Sequence, residues 1–118
     1  MTLPATPDSV RTARRFVAER VRRCPVSVAS DCLLLTSELA TNCVVHARTD
    51  YVVRVDVEEG KVRVEVADDD PDLPRVSDEG RGLRLVEDLA AAWGADPCVD
   101  GPGKVVWFEV EGEPLPQS

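Results

Sequence analysis

The chain contains one Asn and one His, and they fall one helical turn apart behind a Glu: Glu38, Asn42 and His46, within "SELATNCVVHA". Side chains four apart on a helix are neighbours, with about 5–6 Å between Cβ atoms. An Asn side-chain carbonyl is a hard, neutral oxygen, suited to one position of an octahedral Mg²⁺ whose other ligands are waters and phosphate oxygens. An ionised Glu one turn away is near enough to take a proton from water or a hydroxyl. Neither position is specific by itself, because a Glu and an Asn at this spacing also make an ordinary surface hydrogen bond. His46 reads as a positional support more than a catalyst.

A second polar residue breaks an apolar pattern in "KVRVEVAD", Lys61 to Asp68. The period of two puts Val62, Val64 and Val66 on one buried face and places Asp68 on that same face. Burying a carboxylate is costly unless something pairs with it, so Asp68 at a strand end is a ligand-site candidate. It is an acceptor of the kind an adenine amino group needs. Further on, Gly80 and Gly82 precede a helical pattern, where glycines let backbone N–H groups approach a phosphate and the helix N-terminus favours negative charge.

Seven segments must position these residues. An amphipathic helix is predicted from Asp8 to Arg23, with Val10, Ala13, Phe16, Val17 and Val21 inward. A second helix starts near Ser27 to Asp31 and runs to His46. At 100° per residue, Cys32, Leu33, Leu39, Ala40, Cys43, Val44 and Ala47 take one side of it. Asp31, Glu38, Asn42 and His46 share the other with Leu34, Leu35 and Val45, as the wall of a pocket would. Strands Tyr51–Glu58 and Lys61–Asp68 form a hairpin through Glu59-Gly60, and the acidic stretch Asp69 to Glu79 reads as a surface loop. "GRGLRLVEDLAAAWG" predicts a helix with Leu85, Val86, Leu89, Ala92 and Trp93 inward, stopped by Gly94. A short strand near Ala95 to Val99 and "KVVWFEV" (Lys104 to Val110) make a second hairpin. The sum is three helices and about four strands: an α/β two-layer sandwich, its mixed, mostly antiparallel sheet covered on one face by the helices.

Composition narrows the function classes. A chain of 118 residues is expected to be one domain, 1–118, with a core of about 8–111 and a C-terminal tail, 112–118, that frays. A net charge of −8 argues against nucleic acid as the partner. No leader or membrane segment is expected, which makes the cytoplasm the default location. Cys24, Cys32, Cys43 and Cys98 lack paired zinc spacing and read as reduced thiols. Six of the twelve arginines fall in the first helix (Arg11, Arg14, Arg15, Arg20, Arg22, Arg23), giving an acidic chain one basic face. That face is either a solvated helix surface or a docking surface for an acidic partner.

In order along the chain, "SELATNCVVHA", "VEVADDDPDLP", "GRGLRLVEDLAAAWG" and "GKVVWFEV" resemble the N-box, two glycine boxes and closing strand of the GHKL ATPase/kinase superfamily. More narrowly, they resemble its small anti-sigma-factor serine kinases of actinobacterial type. The resemblance runs from about Val10 to Val110. It implies a Bergerat fold with ATP between helices and sheet, Asn42 on Mg²⁺, Glu38 as general base, and Asp68 on the adenine amino group. It also implies that the Gly80-Arg81-Gly82 turn passes the triphosphate, with Leu83 among the nucleotide-binding residues, and that Arg81 and the loop Asp70 to Glu79 act as a short lid. The partners implied are a sigma factor or an anti-sigma-antagonist protein, and a homodimer is the family's common state. Two departures keep a second reading open, a partner-binding module with weak or lost nucleotide binding: "DDDPD" replaces the first box's glycines, and Val105 stands where many members carry a Thr near adenine.

Overall fold

The computed structural model describes residues 1–72, 81–99 and 101–112, with the backbone alone for 81–84. Helix α1 spans Pro7–Arg20; Pro at the first turn and extended backbone at Thr6 start it where a missing N–H costs nothing. Its Ala13 and Val17, with Val21 just beyond its end, are buried as the periodicity predicts.

Helix α2 spans Val26–Asn42, one residue after Pro25. Its buried stripe is Val28, Cys32, Leu35, Thr36, Leu39 and Ala40. Leu35, assigned to the polar side from sequence, is fully buried, whereas Leu34 and Val45 are 42% and 50% exposed. The difference arises because α2 packs against α1, α3, β3 and β5, so burial extends around more of its circumference than one face. The segment Val26–Ala47 is long and apolar enough to cross a membrane by length and composition. Here it is the central helix of the core.

The sheet has five strands in the order β1-β2-β3-β5-β4, and each pairing is antiparallel. Strands β2 (Tyr51–Glu58) and β3 (Lys61–Asp68) have the bounds expected from their alternation. Gly60, at φ 77°, supplies the left-handed residue of the turn between them. Strand β1 (Thr2–Leu3) pairs with Val52 and Tyr51 and is too short to show a period. Leu3, Tyr51 and Val53 join Val62, Val64, Val66, Val106, Phe108 and Val110 as the sheet's contribution to the core.

The third helix corrects the sequence reading. Helix α3 is Arg81–Leu89, and Ala92, Trp93 and Gly94 belong to strand β4 (Ala92–Pro97), paired with β5 (Lys104–Glu111). Helical and extended patterns both suit "AAAWG", and pairing with β5 decides between them. Gly94 is not a helix stop: a Cβ there would lie 2.7 Å from Trp107 Nε1, so the strand needs glycine where the indole crosses it. On the outer face, the Arg63 guanidinium covers the Trp107 ring at 4.1 Å, and Lys61 pairs with Glu109 at 3.0 Å.

Thr36 is fully buried in α2, and its hydroxyl finds no hydrogen-bond partner among the described residues. Thr36→Val keeps the shape and removes the unsatisfied group, which is expected to stabilise the fold by about 1 kcal/mol. A thermal melt should rise by a few degrees, and a lowered melting temperature would contradict the burial.

Candidate functional site

The most unusual chemistry lies at the C-terminal end of the central strand β3. Asp68 pairs in register with Tyr51 on β2 and with Lys104 on β5. Both charged residues are buried, at 6% and 7% exposure. Lys104 Nζ donates to Asp68 Oδ1 at 3.0 Å and to the Asp70 carbonyl at 3.1 Å. The Asp70 N–H donates to the same Oδ1 at 2.9 Å. The other oxygen, Oδ2, accepts from the Cys43 thiol at 3.5 Å. The close approach of β3 and β5 requires Gly103, where a Cβ would lie 1.9 Å from the Asp68 carbonyl oxygen.

Cys43 joins this carboxylate to the helical layer. It follows Asn42, the last residue of α2, and opens a π-helical turn, Cys43–Ala47, that ends at Arg48 in the left-handed region (φ 58°, ψ 30°). The Arg48 N–H donates to the Cys43 carbonyl at 2.7 Å. One π turn breaks the 3.6-residue phase, so His46 departs from the line of Glu38 and Asn42 and is exposed. Glu38 and Asn42 remain one turn apart inside α2, both half-buried, and neither side chain hydrogen-bonds to another described residue. The structure thus brings Asp68 to the residue adjoining Asn42.

Other expected site residues are placed less completely. Gly80 lies outside the described residues, as does most of the lid, residues 73–79. Arg81, Gly82 and Leu83 form the first turn of α3, so Arg81 and Gly82 are helical and do not belong to a preceding turn. Their side chains lie outside the description. At the start of the lid, the Asp72 N–H donates to Asp70 Oδ1 at 3.0 Å.

Val105 needs correcting as the residue that bears on the base. It pairs with Ala67 and, by alternation, belongs to the sheet face opposite to Asp68. The residue beside Asp68 is Lys104, which the sequence reading missed. The signal was present: Lys104 shares its face with Val106, Phe108 and Val110, and it is one of only two lysines in the chain.

Residues 3–109 match the histidine kinase-like ATPase domain. The chain belongs to that family. No match is found among curated proteins. As a histidine kinase-like ATPase domain the protein is an ATP-binding, kinase-like domain of the GHKL superfamily, and helices over a five-stranded sheet are its scaffold. A cleft of about 540 Å³ lined by Glu19, Arg20, Arg22, Arg23, Glu58 and Glu59 among others lies by the β2–β3 turn. That turn is at the other end of an eight-residue strand from Asp68, roughly 23 Å away.

The four cysteines of this ATPase domain are free thiols, with Cys32 and Cys43 buried and Cys24 and Cys98 half-buried. Burial pushes the Cys32 thiol from its ordinary value of 9.0 to about 12, with Cys24 and Asp31 adding to the shift. Burial pushes Cys43 higher still, followed by the negative charge of Asp68 and the hydrogen bond to it, while Lys104 opposes. Burial likewise raises the Tyr51 phenol. At pH 8 the native protein should expose two thiols to a disulfide reagent, Cys24 and Cys98, and all four after denaturation. Four fast thiols in the native state would contradict the core. Because the folded values exceed the unfolded one, stability is retained below pH 9.0 and falls as pH rises above it, which a melt series at increasing pH reads directly.

Proposed function

We propose that the protein is an ATP- and Mg²⁺-dependent protein serine/threonine kinase of the anti-sigma type. It phosphorylates an anti-sigma-antagonist protein in the cytoplasm and sequesters a sigma factor when that antagonist is absent. The observation that carries this reading is the buried Asp68 carboxylate meeting the end of α2, where Glu38 and Asn42 stand one turn apart. Asp68 Oδ2, whose only described donor is a thiol, has acceptor capacity left for the adenine amino group. Asn42 offers its carbonyl to Mg²⁺, and Glu38 receives the proton of the attacking hydroxyl. Among the described residues no three His, Cys, Asp or Glu side chains gather as a metal site. Asn42 with nucleotide oxygens and water therefore suits a hard cation better than a protein cage would. Bound Mg²⁺ supplies charge neutralisation to the phosphates. The backbone at Gly80, Arg81, Gly82 and Leu83, where α3 begins, is the phosphate-binding segment in this reading.

A second reading, a module that holds its partner without phosphotransfer, is favoured by α1 and the turn that follows it. Arg11, Arg14, Arg15, Arg20, Arg22 and Arg23 are all exposed, five of them outside any described ion pair. Calorimetric titration with Mg-ATP, followed by label transfer to a candidate antagonist, separates the two. The kinase reading expects Asn42→Ala to abolish transfer with the melting temperature preserved. It expects Glu38→Ala to keep ATP binding and lower transfer by about 10²–10⁴-fold. Unchanged transfer by Asn42→Ala would falsify the assignment, and absence of ATP binding in the unmodified protein would favour the module.

A further inference from the structure

Asp68 is not simply an acceptor at the base end, because a buried cation governs it. We propose that Lys104 is a positioning residue that holds the Asp68 carboxylate by Oδ1, leaves Oδ2 for the base, and so makes the site select a 6-amino over a 6-oxo purine nucleotide. This inference rests on the nucleotide reading above.

The two carboxylate oxygens have unequal surroundings. Oδ1 accepts two strong donors, Lys104 Nζ at 3.0 Å and the Asp70 N–H at 2.9 Å. Among the described residues, Oδ2 accepts only a thiol, at 3.5 Å, and a thiol is a weak donor. A ligand donor therefore finds its acceptor at Oδ2. Lys104 also holds the Asp70 carbonyl at 3.1 Å, so Asp70 is tied through both its N–H and its C=O to the same ion pair. The acidic box that replaces glycines and the lysine of β5 form one device: Lys104 is the buried cation paired with Asp68 at the end of β3 and with Asp70 in the loop that follows.

The pairing of the carboxylate with a cation decides the selectivity. An ionised carboxylate only accepts hydrogen bonds, so it attracts a 6-amino group and repels a 6-oxo oxygen. Without a paired cation, a buried carboxyl is driven toward its protonated form, which carries an O–H donor and can meet either group. The chain carries twelve Arg and two Lys, and this buried position holds a Lys, a compact point charge with three rotatable donors in place of a planar fork.

The test compares Mg-ATP and Mg-ITP affinity by calorimetry in the unmodified protein, Lys104→Gln and Lys104→Arg, each checked for a cooperative melt. The unmodified protein should prefer ATP by at least about tenfold. Lys104→Gln should bring the two affinities to near equality while ITP affinity holds or rises, and Lys104→Arg should restore part of the preference. A purely structural role would weaken both nucleotides alike and leave the ratio unchanged, which overturns the proposal. Should Lys104→Gln fail to fold, ¹⁵N-lysine labelling of the unmodified protein carries the test. Only Lys61 and Lys104 give ammonium signals, and Lys61→Arg assigns them. Adenosine should shift the Lys104 signal more than inosine does; no shift with adenosine overturns the proposal. An unmodified protein that binds neither nucleotide removes the proposed function and this inference together, whereas ATP binding with an unchanged ratio removes this inference alone.

Discussion

Two opposite charges buried at the end of a central strand are the constraint around which the rest of this structure is arranged. Taking a carboxylate and an ammonium out of water costs several kcal/mol for each, and their attraction offsets this only when the remaining donors and acceptors are also met. Here they largely are. Asp68 receives Lys104, the Asp70 N–H and the Cys43 thiol, and Lys104 has the Asp70 carbonyl as a second acceptor. Those partners come from two strands, a loop and the helical layer, so the pair can persist only where all four meet. Well-packed apolar residues often serve stability as well or better than such a pair. Its presence is easier to understand as site chemistry than as reinforcement.

The fold supplies that meeting point by simple means. Antiparallel pairing puts the start of β2, the end of β3 and the start of β5 at one end of the sheet, so Tyr51, Asp68 and Lys104 stand side by side. Glycine at 103 lets β5 approach the Asp68 backbone. Above them α2 crosses with its buried stripe on the valines of the sheet and delivers Cys43 to Asp68 as the α-helix gives way to the π turn. The π turn has a consequence for chemistry: it fixes Glu38 and Asn42 in regular helix before the phase changes, and it turns His46 to solvent.

Much of this was legible in the sequence, for identifiable reasons. Strands β2 and β3 follow from strict alternation bounded by Glu59-Gly60, and Asp68 stands out because it interrupts an otherwise uniform valine face. The N-box pair and the family resemblance follow from residue types at fixed spacing. What escaped has physical causes as well. Strand β1 is two residues, below any period, and β4 is written in residues that favour no state until β5 pairs with them. Leu35 was misassigned because a helix covered on several sides has no single apolar face. Val105 drew attention that belonged to Lys104, since one residue along a strand reverses the face, and only the register Asp68 to Lys104 shows which of the two meets the carboxylate.

Charge distribution carries the last step. A triphosphate approaching this end of the molecule meets a chain of net charge −8, with Asp69, Asp70 and Asp72 beside the buried pair. Lys104 is no help to the phosphates, because its charge is already matched by Asp68 and its donors are turned toward the sheet end. Arg20, Arg22 and Arg23, at the end of α1 and just after it, are no substitute, since they line the distant cleft by the β2–β3 turn with Glu58 and Glu59. In the nucleotide reading, phosphate charge is met by the segment from Gly80 to Leu83, Arg81 included, where α3 begins, and by a cation held at Asn42. A cation at Asn42 would then offset both the phosphate charge and the acidic residues that begin the loop.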